Sequence, residues 1–181
     1  VPALRQRLTD WEDRRPALVV PLASTLVGLG DLAGLPALRA AGELSSRHQA
    51  RKLFVHAGRS RHPGGTEVQG QLLADFRPRR RSFAPWHLFH SEESPLSREV
   101  CAELERLALG TVEAFLEPSW DEAATGRLVV SADGHQVRYE LVISHWHGPL
   151  AGSWQPYEVR LERVGGHWLI TVADVGFGMV S

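Results

Sequence analysis

From residue 127 onward, apolar and polar side chains alternate, and the alternation breaks at two dipeptides, Asp133-Gly134 and Gly165-Gly166. Both suit primed turns, which need positive φ and match the twist of a tight hairpin. Such a stretch has to pair antiparallel, because a slip of one residue would turn every apolar side chain to the wrong face. It predicts four strands, Arg127–Ser131, His135–Trp146, Gln155–Val164 and His167–Val175.

Turn chemistry then sets the register. The first loop places Val130 opposite Val137 and Leu128 opposite Tyr139, and the second places Leu161 opposite Ile170 and Val159 opposite Val172. Polar residues Gln136, Arg138, Glu140, Glu158, Arg160 and Glu162 fall between them. The predicted core face is therefore Leu128, Val130, Val137, Tyr139, Leu141, Ile143, Val159, Leu161, Ile170 and Val172. The middle connection, Gly148–Ser153, is longer and constrains less. The simplest pairing that keeps Leu141 and Ile143 on the core face sets His145 opposite Tyr157, itself opposite Asp174.

Upstream, Leu4, Leu8 and Trp11 mark one face of a helix over 2–14. Residues 31–52 read as a second helix with Asp31 as its N-cap. Lys52–His56 and Thr66–Phe76 read as two strands joined through Pro63-Gly64-Gly65. Ser94-Pro95 starts a long helix with Leu96, Val100, Leu104, Leu107, Ala108, Thr111 and Phe115 on one stripe, stopped by Pro118. The chain of 181 residues fits one α+β domain. Its parts are a helical segment 1–51, a basic hairpin and loop 52–93, the long helix 94–117 and a curved β-meander 127–176.

Ala17–Leu38 is apolar, but Pro21, Gly28, Gly30, Asp31, Gly34 and Pro36 interrupt it, which argues for buried turns and against a membrane span. Net charge is −1, so no bulk attraction draws the chain to nucleic acid or an anionic membrane. Cys101 is the one cysteine, which excludes an intrachain disulfide and makes a reducing cytoplasm the expected compartment.

Helices, two strands, a long helix and a four-stranded meander follow one another in an order that resembles the NTF2-like (cystatin-like cone) superfamily. The stretch Gly166-His167-Trp168-Leu169-Ile170-Thr171-Val172-Ala173-Asp174-Val175-Gly176 looks like the last strand of many such proteins. The likeness spans most of residues 2–176 but rests on element order and this loose pattern. It implies a sheet curled around the long helix, with a conical pocket between. It further implies a small-molecule binder, with isomerase, cyclase or dehydratase-like acid–base chemistry as the extension. Other members are binding or dimerisation modules, and fold alone does not choose between them.

In such a pocket His145 would act as general base or acid, Asp174 would orient it or act itself, and Tyr157 would donate to a developing enolate oxygen. Tyr139, Leu141, Phe115 and Trp168 would contact the ligand. Polar strand ends are commonplace, so a plain polar rim explains the same three residues.

His145-Trp146-His147 has zinc-like spacing, but the register puts His167 on the other face and His87 or His90 could supply a third ligand only by loop approach, so no metal and no cofactor is expected. The alternative function is a non-catalytic interaction module. Residues 51–81 carry eight basic side chains, Arg77, Arg79, Arg80 and Arg81 among them, and could hold phosphates. Residues 92–122 carry nine acidic ones, and mutual neutralisation of the two faces is the simpler reading. Val142, Trp146, Trp154 and Leu169 make the outer sheet face apolar, which suggests a homodimer.

Overall fold

A computed structural model describes residues 1–14, 16–76, 87–89, 94–116, 124–148, 151–176 and 179–180. The chain forms two compact units. The first comprises Val1–Asp75 and Val164–Thr171, and the second Phe76–Arg163 and Val172–Ser181.

The first unit is mainly helical: α1 (Pro2–Arg14), α2 (Pro16–Gly28), a 3₁₀ turn (Leu32–Gly34), α3 (Leu35–Ala40), α4 (Arg47–Arg59) and α5 (Gly65–Phe76, whose last residue belongs to the second unit). Asp31 caps the 3₁₀ turn by accepting from the Ala33 amide, and its other oxygen receives Arg5 Nε at 2.6 Å. The single helix expected over 31–52 is broken at residues 41–46, and Ser46 starts α4 afresh by accepting from the Gln49 amide.

The two strands expected at 52–56 and 66–76 are helices, α4 and α5. Lys-Leu-Phe-Val-His looks like a strand in isolation. Over a longer window, Ala50, Phe54, Ala57 and Gly58 are buried at helical spacing, as are Val68, Gln69 and Leu72. Gln69 ties this unit together. Its Nε2 donates to Phe54 O at 2.8 Å and to Ile170 O at 2.7 Å, while its Oε1 accepts from Ile170 N at 3.0 Å. Gly58 lies against the same carbonyl, and a Cβ there would stand 1.9 Å from Ile170 O.

The second unit holds a short strand β1 (His87–Phe89), the long helix α6 (Arg98–Phe115), and strands β2 (Ala124–Val130), β3 (Gln136–Gly148) and β4 (Ala151–Val164) up to Arg163. It also holds the end of β5 (His167–Val175) and β6 (Met179–Val180). The sheet order is β1-β2-β3-β4-β5, with β6 beside β4. β1 runs parallel to β2, and β2–β3 and β3–β4 are antiparallel. The fold is α+β, as the sequence indicates.

Gly165 and Gly166 have φ +58° and +87°, as a primed turn requires. At the first hairpin only Gly134 has positive φ, +67°; Asp133 does not, and Gly134 N donates to Ser131 O, so the expected primed turn at Asp133-Gly134 is replaced by a longer loop. Val130 pairs with Val137 and Leu128 with Tyr139, as expected. Leu128, Val137, Tyr139, Leu141, Ile143, Val159, Leu161 and Ile170 are buried, whereas Val130 and Val172 are half-buried.

The third register differs. Tyr157 pairs with Leu141, and His145 with Ser153, because β3 and β4 each run further toward Gly148 and Ala151, with an irregularity between Trp146 and Gly148. The long helix starts three residues later than expected, with Ser97 as the capping residue.

Candidate functional site

Besides Ala114, helix α6 buries Cys101, Leu104, Glu105, Ala108, Thr111, Val112 and Phe115, seven residues along one stripe. Six of the seven are ordinary interior residues at three- and four-residue spacing. Thr111 is satisfied locally, its hydroxyl donating to Leu107 O at 2.8 Å. Phe115 packs on Phe76 with ring centroids 5.7 Å apart, a tilted aromatic contact. The exception is Glu105, a carboxylate only 8% exposed.

From the sheet, β3 contributes Tyr139, which is 0% exposed between its cross-strand partners Leu128 and Val159. Its hydroxyl has no hydrogen-bond partner among the described residues. Leaving a buried donor unmatched costs about 1–3 kcal/mol, so each such group calls for an explanation. Burial, and then the charges of Glu105 and Glu113, push the phenol well above its ordinary range. Tyr139 is therefore a neutral donor throughout the physiological range. A buried carboxylate whose charge reaches a buried phenol combines a proton acceptor with a donor able to stabilise negative charge on a ligand oxygen.

The three residues proposed as a catalytic row are not brought into one row. His145 and Tyr157 are not opposite each other, and the backbone position facing Tyr157 lies four residues from His145, about 13 Å along the strand. Tyr157 is buried, which raises its pKa, and Asp174 is exposed near the end of β5. The side chains of His145, Trp146 and His147 lie outside the described residues.

Of the expected ligand contacts, Tyr139, Leu141 and Phe115 are buried in the second unit, and Trp168 is half-buried in the first. Arg77, Arg79, Arg80 and Arg81 lie outside the described residues. Of the other basic residues, Arg59 Nε donates to Thr171 O at 2.8 Å, so it serves the fold. Leu169, counted on an apolar outer face, is 1% exposed.

Sequence reasoning set Glu105 among the nine acidic residues of 92–122, read as neutralising the basic segment. The signal that corrects it is positional: Glu105 stands seven residues before Val112 and three before Ala108, on the interior repeat.

No protein-family model matches the chain, and neither a curated protein nor a solved structure matches it. Among the described residues, no three of His, Cys, Asp and Glu converge as metal ligands would, and no helix is long and apolar enough to cross a membrane.

Proposed function

We propose that the second unit is a small-molecule-binding module of NTF2-like type, whose ligand accepts a hydrogen bond from Tyr139 with Glu105 alongside. The observation that carries this is the buried Tyr139 hydroxyl with no partner among the described residues. A ligand carbonyl or hydroxyl would supply the partner. With a ligand carrying an acidic C–H beside its carbonyl, Glu105 would accept the proton while Tyr139 donates to the oxygen. The family reading is supported by a long helix that precedes an antiparallel meander. It loses the hairpin expected before that helix, since residues 52–56 and 66–76 are helical.

The test is a thermal-shift screen of cyclic ketones, enones and phenols against the purified chain. Hits should bind at least tenfold more weakly to Tyr139→Phe, because one hydrogen bond to a desolvated partner is lost. Any proton-transfer activity should fall in Glu105→Gln. A screen without hits, or hits indifferent to both substitutions, would refute the proposal.

Two coarser features complete the reading. A buried lone Cys101 fits a cytoplasmic setting. Trp154, 45% exposed on the outer sheet face, fits a homodimer contact, and sedimentation of Trp154→Ser should then show a weaker dimer than wild type.

A further inference from the structure

The outward face of the β2–β4 sheet carries a row in which like charges stand directly opposite. Arg138 on β3 pairs in register with Arg160 on β4, and Val129 continues the row on β2. The next row repeats the conflict with the other sign, Glu140 opposite Glu158. Directly opposed like charges are unfavourable, with Cβ atoms about 5 Å apart. Each arginine is steadied along its own strand: Arg138 Nε meets Glu140 at 3.0 Å, and Arg160 Nε meets Glu158. A guanidinium has five N–H donors, so Nε alone does not exhaust it.

An open concavity of about 360 Å3 lies at this row. Val129, Ser131, Gln136, Arg138, Arg160 and Glu162 contribute to its lining. Two of these side chains are cationic and one is anionic, and Val129 with the neighbouring Val130 adds apolar surface. The register explains why they meet: Gln136 opposite Glu162 is the row adjacent to Arg138 opposite Arg160.

We infer that this concavity binds a small oxyanion, a carboxylate or phosphate borne on a compact apolar body, between Arg138 and Arg160. Two forked donors launched about 5 Å apart on one face suit one planar or tetrahedral anion, and the anion relieves the repulsion between them. The site is separate from the α6-facing interior and does not depend on the function proposed for it.

The probes are phenyl phosphate and benzoate, titrated at low salt into the isotope-labelled full chain and followed at the amides of Gln136, Val137 and Leu161. Saturable shifts at these amides are expected, and the stronger of the two probes identifies the preferred anion class. Arg138→Gln with Arg160→Gln should weaken binding at least tenfold, with folding checked by circular dichroism. Glu162→Gln, which leaves both arginines intact, should tighten binding severalfold because it removes a repelling carboxylate. Absence of saturable shifts with both probes, or equal binding by the double variant, overturns the site. So does a row whose shifts follow protein concentration and not anion, which would assign it to a second copy of the chain.

Discussion

Replacing Tyr139 by Phe removes a buried hydroxyl that has no partner among the described residues and leaves the ring in place. The unliganded variant should be more stable than wild type by about 1 kcal/mol, read from urea unfolding midpoints at constant slope. A gain in stability together with a loss of affinity is the signature of a group retained for a ligand. Asp31 makes the opposite case. Burial raises its pKa, but the Arg5 guanidinium and the Ala33 amide outweigh burial and hold it below the usual carboxylate value. With the folded pKa depressed, this contribution is complete above the unfolded pKa, near 4, and is lost as pH falls through the folded value. Asp31→Ala should lose about 1 kcal/mol at neutral pH, chiefly as a cap, and show a flatter decline in stability below pH ~4. Asp31 was legible as a cap because the residue type and position suffice. Glu105 was not, because a charged side chain inside a stripe is read outward unless the repeat is followed through it.

At the scale of elements, the clamp from α5 to β5 decides more than any one apolar contact. Gln69→Leu keeps the volume but leaves Phe54 O, Ile170 O and Ile170 N without their partner. A loss of about 3 kcal/mol or more is expected, with faster hydrogen exchange at the Ile170 amide as the local readout. Gly58→Ala should be at least about 2 kcal/mol destabilising, since the new methyl meets a carbonyl that Gln69 holds in place. Elements with strict local signals were readable: the meander, its first turn register and its glycine turns follow from period-two alternation and positive φ. Elements decided by distant partners were not. Residues 52–56 have strand-like composition, and only the buried Ala50, Phe54, Ala57 and Gly58 face reveals the helix. The extent of β3 and β4 toward Gly148 and Ala151 was equally hidden, because a longer connection leaves the register to the strands themselves. That single misreading dispersed the candidate row of His145, Tyr157 and Asp174.

For the whole molecule, the important fact is that neither unit is a continuous piece of chain. Val164–Thr171 belongs to the helical unit and Val172–Val175 to the other, so β5 serves both. A fragment ending at Asp75 lacks the backbone that Gln69 grips, and it should show no cooperative unfolding transition by circular dichroism. The first boundary adjoins the arginine run that starts at Arg77, but composition could not foretell the second, because that crossing occurs inside a strand. β5 is also the last strand of the sheet order, and at Ile170 the amide of Gln69 takes up the donor and acceptor that a sixth neighbour would use. One side chain thereby imitates a strand. Its loss would turn a closed border into a template for other chains, so solutions of the Gln69 variant should form strand-exchanged oligomers at concentrations where the parent stays dispersed.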